Sequence, residues 1–240
     1  MTKYQIADIV FEAQPLYQYT INLCKDYEYS GADAPRFTIE ITKADIEKER
    51  QGLPEYNEAY LESIAFFRKF NAYLLSSADG FVFHSSAVMV DGNAYLFTAP
   101  SGTGKSTHTK LWCDLLGDRA VMINDDKPII RSIDGEFFVY GSPWRGKHLL
   151  GCNCKVKLKA ICNLYRAKEN KIESILPKQM LFTILGQTAL PTEKNEMDRT
   201  LKLIEEMLNC VKLYSLGCNV SLDSATLSYK KMSGDIIDEN

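Results

Sequence analysis

One stretch constrains this chain more than any other: Ala99-Pro100-Ser101-Gly102-Thr103-Gly104-Lys105-Ser106-Thr107. With Ala in place of the first glycine it follows the pattern G-x-x-x-x-G-K-[ST], the P-loop that cradles phosphate. Residues 94–98 ahead of it form a short apolar run of strand character. Residues 106–116 behind it have the length of a helix, with Leu111, Trp112, Leu115 and Leu116 able to form a buried side. Strand, glycine loop and helix in that order is the context that turns such a match into a site.

The chemistry follows from the residue types. Gly102 and Gly104 reach backbone angles closed to other residues, so successive N–H groups can ring an anion. A helix opening near Lys105 adds the positive end of its dipole. The expected nucleotide-binding set is Ser101, Gly102, Thr103, Gly104, Lys105, Ser106 and Thr107, with Lys105 on the outer phosphates and the Ser106 hydroxyl on Mg²⁺. Further on, Ala120-Val121-Met122-Ile123-Asn124-Asp125-Asp126 is an apolar run ending in acids. That is a Walker-B pattern, a buried strand delivering a carboxylate beside the loop to hold Mg²⁺ directly or through water.

Composition bounds the rest. A chain of 240 residues, 45% hydrophobic and 25% charged, fits one large domain or one domain with an appendage, and can bury a real core. A net charge of −3 argues against a nucleic-acid partner. No apolar run approaches the length of a membrane span, and residues 1–8 lack the plan of a signal peptide. A cytoplasmic protein without a membrane partner is expected. The seven cysteines include Cys152, Cys154 and Cys162 close in sequence, but without paired zinc-ligand spacing. Free thiols are the expectation.

Along the chain, alternation predicts strands at 4–12, 19–24 and 37–41, with a loop over 26–35. A solvated helix or turn follows at 44–52, then a helix over 60–75, where Leu61, Ile64, Ala65, Phe67, Leu74 and Leu75 recur at helical spacing. Residues 81–90 read as a strand pair or one bent strand, Asp91-Gly92 as a tight turn, and 128–140 as a hairpin turning at Asp134-Gly135. A strand at 156–164, helices at 178–190, 196–211 and 221–232, a brief strand at 213–216 and a frayed acidic tail over 233–240 complete the pattern. The expected fold class is α/β: a P-loop core with a mixed, open sheet over 79–240, flanked by N-terminal strands and C-terminal helices. Residues 1–78 pack on that core and hold no motif with readable chemistry.

Residues 141–148 form a polar, glycine-rich loop without apolar anchors, so it is expected to order only around its ligands. The alternative has Trp144 packing it down as a fixed wall. Arg145 is its candidate for stabilising charge on a transferring phosphoryl group.

His84, the glycine loop, Asp125-Asp126 and Arg145-Gly146 together resemble the catalytic domain of the bacterial HPr kinase/phosphorylase family. That family shares its nucleotide-binding core with the ATP-type phosphoenolpyruvate carboxykinases. The resemblance covers about residues 80–165, and more loosely to 200. It implies an HPr kinase/phosphorylase C-terminal-domain-like fold, ATP and Mg²⁺ as cofactors, and a hydroxyl-bearing acceptor: a serine of a peptide or protein, or a small hydroxy-metabolite. It implies Lys105 on the β/γ-phosphates, Ser106 and one carboxylate (Asp125 taken first) on Mg²⁺, and the other aspartate as proton acceptor. In the family that acceptor also serves the reverse reaction with phosphate. His84 would lie beside the transfer centre and Arg145 would stabilise the transition state. The family carries Glu two residues before the Arg of its Arg-Gly loop. Here Pro143 stands there, which neither ligates metal nor accepts a proton. Three other readings stand beside the kinase: a regulatory module that binds nucleotide without turnover, a carboxykinase-like lyase, and slow hydrolysis with a partner supplying specificity. The oligomeric state has no signal in the sequence.

Overall fold

The computed structural model describes residues 1–234. The chain opens on a hairpin, β1 (Thr2–Ile6) and β2 (Ile9–Ala13), turning at Ala7 and Asp8, both with positive φ. That two-residue turn splits the single strand expected over 4–12. Residues expected as a second strand, 19–24, instead form helix α1 (Gln18–Cys24). The cause is remote. The buried Glu62 carboxylate accepts hydrogen bonds from the backbone amides of Leu16 and Tyr17 and, at 2.7 Å, from the Thr20 hydroxyl. These bonds fix the chain as it enters the helix, and Thr20 and Cys24, one turn apart, become its buried face.

The strand expected over 37–41 shortens to β3 (Thr38–Ile39), parallel to β2. Helix α2 (Lys43–Arg50) begins with a reciprocal Thr42–Asp45 cap. Helix α3 (Glu58–Ser77) is capped by Asn57 and supplies the long apolar face of the N-terminal region. Its Phe66 and Phe70 share one core with Tyr4, Phe11 and Ile39, and with Val82, Ile129, Tyr140 and Trp144.

The larger sheet contains β4 (Gly80–Val82), β5 (Ser86–Val90), β6 (Asn93–Thr98), β7 (Ala120–Asn124), β8 (Ile129–Ile133), β9 (Glu136–Tyr140), β10 (Lys155–Arg166), β11 (Lys171–Ser174) and β12 (Lys212–Cys218). Helix α4 (Lys105–Leu116) follows β6; α5 (Pro177–Gly186), α6 (Lys194–Cys210) and α7 (Leu222–Ser233) flank the late strands. The fold is mixed α/β, with strand order β4-β8-β9-β10-β6-β5-β7. Strand β10 branches the sheet. Its residues 155–157 carry β9 antiparallel and residues 160–166 carry β12 parallel on the same edge, while β6 runs parallel along the other.

Strands β4 and β5 neither pair with each other nor form one bent strand. The residues between them have other partners: His84 N–H donates to Gln187 O at 2.7 Å and Ser85 N–H to Asp126 O at 3.2 Å. The chain therefore parts here, β4 joining β8 and β5 joining β6 and β7. Along β6, Ala94 and Leu96 face the core under α5 and α6, while Tyr95 and Phe97 face Trp112 of α4 and Tyr229 of α7. Among the described residues, no helix is long and apolar enough to cross a membrane. Helix α7 runs through Ser233; of the expected frayed tail, 235–240 lie outside the described residues.

Candidate functional site

Strand β6 ends at Thr98, and Thr98 and Ala99 are fully buried, so the chain leaves the core at Pro100. Thr103 N–H then turns back to Pro100 O at 3.3 Å. Gly102 has φ +77° and Gly104, directly before α4, has φ +120°, where a side chain would be strained. Arg166 Nη2 donates to Gly102 O at 2.6 Å, tying the loop to the end of β10. Lys105 is buried, with Nζ donating to Ala99 O at 3.0 Å. Burial lowers its pKa against the opposing charges of Asp126 and Asp125.

Strand β7 delivers the two aspartates, and their surroundings differ. Asp125 is buried, and its Oδ1 accepts from Ser86 Oγ at 2.9 Å. Ser86 Oγ is in turn 2.7 Å from Thr109 Oγ1, and Thr109 bonds the Lys105 and Ser106 carbonyls. Asp125 is thus coupled to the first turn of α4, where Ser106 sits. Asp126 meets two partners, His84 Nε2 at 3.2 Å and the Lys127 ammonium Nζ at 2.5 Å. Burial pushes its pKa up, but the hydrogen bond from His84 and the charge of Lys127 outweigh it and hold the carboxyl at about 2. Asn124 locks the turn: its Oδ1 accepts from the Asp126 and Lys127 amides, and its Nδ2 donates to Ser142 O at 3.0 Å.

The loop at 141–148 is anchored, contrary to the expectation of a loop without apolar contacts. The Trp144 ring lies 5.0–6.3 Å from those of Phe67, Phe70 and Phe66 on α3. Three aromatic neighbours from one helix hold the loop, the packing of Trp144 that the alternative expected. Arg145 reaches back to the N-terminal region, with Nη2 2.8 Å from Asp26 Oδ2 and the guanidinium 5.5 Å from the centre of the Tyr27 ring. Its Nε is buried without a hydrogen-bond partner among the described residues.

These groups meet in a cleft of about 770 Å³ lined by Ser101, Gly102, Gly104, Lys105, Ser106 and Thr107 on one side, with His84, Asp125, Asp126 and Arg145. Thr103 lines instead a smaller cavity of about 380 Å³ behind the glycine loop, between Leu111, Leu164, Arg166 and Val220. The wall facing the glycine loop is apolar and aromatic: Tyr19 and Leu23 of α1, and Tyr60, Ile64 and Phe67 of α3. None of these five was legible as a site residue. Their helical spacing signals only a packed face, and they reach the cleft through contacts distant in sequence. Among the described residues, no group of three or more His, Cys, Asp or Glu could hold a metal by itself.

No family model matches the chain, and no curated protein sequence matches it. Among solved structures, it aligns with the Hpr(Ser) kinase/phosphatase from Coxiella burnetii at a TM-score of 0.37 and 11% identity, over 64% of this chain and 93% of that one. That protein is a distant structural neighbour, too distant to assign this chain a function.

Proposed function

We propose that the chain is an ATP-dependent phosphotransferase that moves the γ-phosphoryl group to a hydroxyl. The observation that carries this reading is the convergence of the glycine loop, Lys105, Ser106, both aspartates and His84 on one cleft. The residues fit a nucleotide and Mg²⁺. Gly102 and Gly104 lie in the left-handed region with open space where a Cβ would project, which leaves the backbone accessible to phosphate. A hydroxyl and a carboxylate are the hard oxygen donors Mg²⁺ takes beside phosphate oxygens and water.

In this reading Lys105 exchanges the Ala99 carbonyl for the outer phosphates. Ser106 and Asp125, linked through Thr109 and Ser86, hold the metal. A Mg²⁺ ion held by these two residues would supply neutralisation of the charge developing on the transferring group. Asp126 stays ionised between His84 and Lys127, orients the acceptor hydroxyl and takes its proton as the new bond forms. Its low pKa makes it a weak base, which suits a transfer in which positioning and charge dominate. Arg145, set by Asp26, adds positive charge to the cleft wall. The acceptor lies between Asp126 and the wall of Tyr19, Tyr60 and Phe67, so it carries an apolar body beside its hydroxyl.

A second reading, nucleotide binding without turnover, is favoured by Pro143 and by the pairing of Arg145 with Asp26. Incubation with γ-labelled ATP and Mg²⁺ against small hydroxy-metabolites and serine peptides separates the two. Label in an acceptor supports the transferase; tight binding with neither transfer nor hydrolysis supports the regulatory module. No nucleotide binding at all overturns both.

A further inference from the structure

Cys152 and Cys154 lie on the bend that joins the Arg145 loop to β10. Their Sγ atoms are 2.6 Å apart, and both side chains are half-buried. Cys162, near them in sequence, is enclosed in β10 and belongs to a different environment. The backbone brings the pair together. Cys152 N–H donates to Ile123 O at 3.1 Å, Gly141 N–H donates to Cys154 O at 3.2 Å, and Gly151 bridges to Asn124. A Cβ on Gly141 would stand 1.7 Å from Cys152 O, so only glycine allows β9 to end this close to the bend. The sulfurs therefore face each other through a fixed frame.

The surroundings favour reaction at one of the two. The two thiols share a hydrogen bond; against burial, that bond and the Arg145 charge hold the Cys152 thiol down to about 7. Cys154 is shifted upward by the same hydrogen bond and by burial. One sulfur is thus a ready nucleophile and its neighbour a resolving thiol. Two sulfurs without a third ligand do not make a metal site among the described residues.

We propose that Cys152 and Cys154 form a reversible dithiol–disulfide site that exchanges with low-molecular-weight disulfides. The Cys152 thiolate attacks one sulfur of a small disulfide RSSR, forming a mixed disulfide and expelling RS⁻. Cys154 then gives up its proton and attacks Cys152 Sγ, closing the intramolecular disulfide and expelling the second RS⁻. Two electrons pass from the protein thiols to RSSR, and both thiol protons end on two RSH. Closure removes the thiolate from beside Arg145, at a bend bonded directly to the strand that leads into Asp125 and Asp126. The site stands without the phosphotransfer reading, because its chemistry is read by mass.

The full-length reduced protein is exposed to oxidised glutathione at neutral pH, alkylated, digested with trypsin and weighed. Cleavage after Lys147 and Lys155 releases both cysteines on one peptide. That peptide is expected to lose two hydrogens, escape alkylation, and recover both thiols with dithiothreitol. Cys154→Ser should stop at a glutathione adduct on Cys152. Cys152→Ser should react at Cys154 about tenfold more slowly, and Arg145→Gln should slow the wild-type first step. A wild-type peptide that stays fully alkylated, or keeps a stable adduct on Cys152 without closing, overturns the proposal. Equal reactivity of the two single variants does the same. The wild-type measurement decides even if a variant fails to fold.

Discussion

On one side of the cleft, strand, glycine loop and helix lie within residues 93–116, and the loop is shaped by its own glycines and by the helix that follows. On the other side, Tyr19, Tyr60 and Phe67 come from two helices whose placement depends on Glu62 and on Trp144, far along the chain. The first wall is a local structure that tertiary packing holds in place. The second is made by tertiary packing and has no local form of its own. The two walls should therefore respond to substitution differently: the first by losing chemistry, the second by losing shape.

The largest effects belong to the first wall. Lys105→Ala should weaken ATP binding, because a charge on the outer phosphates is lost. Asp125→Asn and Asp126→Asn should leave much of the nucleotide binding intact while lowering turnover by about 10²–10⁴-fold. None of the three should much change the melting temperature. Near-wild-type rates in both Asn variants would remove the aspartates from the chemistry, and a large loss of stability would show that this wall is not local after all.

Trp144→Ala tests the opposite wall. Deleting a buried indole from between Phe66, Phe67 and Phe70 should destabilise the protein by about 3–5 kcal/mol, read by denaturant unfolding. Smaller is Glu62→Gln. It turns one accepting oxygen into a donor facing the Leu16 and Tyr17 amides and the Thr20 hydroxyl, and should cost about 1–3 kcal/mol. Since α1 carries Tyr19 and Leu23, acceptor KM should rise while ATP affinity holds. Equal losses of ATP and acceptor binding would mean that the two walls are one unit.

The same division explains what could be read from the residues. The glycine loop, the strand before it, the helix after it and the acidic end of β7 were legible because each is encoded by neighbours in sequence. The hairpins at Asp91-Gly92 and Asp134-Gly135 were legible for the same reason, since all four residues take the positive φ that such turns require. Helix α1 was not legible: Tyr19, Ile21 and Leu23 alternate as a strand would, and the partner that decides the matter, Glu62, lies in another helix. Trp144 was readable as a possible anchor of its loop, but its partners were hidden likewise. Its loop has strongly polar neighbours, and the three rings that hold it sit on α3. Strand β11 gave too short a signal and exists by pairing with β12.

The smallest effect separates the walls by pH. His108, in α4, is buried, and burial alone lowers its pKa to about 4. Ser228 Oγ donates to Ala225 O and receives Trp112 Nε1–H at 2.8 Å, so its remaining lone pair faces His108 Nε2 at 2.9 Å as an acceptor. The network thus assigns a neutral imidazole with its hydrogen on Nε2. Protonation would put a charge on Nδ1 inside a core where the Phe97 ring lies 4.8 Å away. With a folded pKa near 4 and an ordinary value of 6.5, the unfolded chain binds more protons throughout that interval. The stabilisation is complete above pH 6.5 and is lost as pH falls toward 4, amounting to about 1 kcal/mol between pH 7 and pH 5.5. Hydrogen exchange should show the loss first in α4 and α7, which meet at His108 and Ser228, while α1 and α3 keep their protection. His108→Gln should flatten the slope. A uniform loss across all four helices, or an unchanged slope in His108→Gln, would place the acid sensitivity elsewhere and dissolve the distinction between the two walls on this measure.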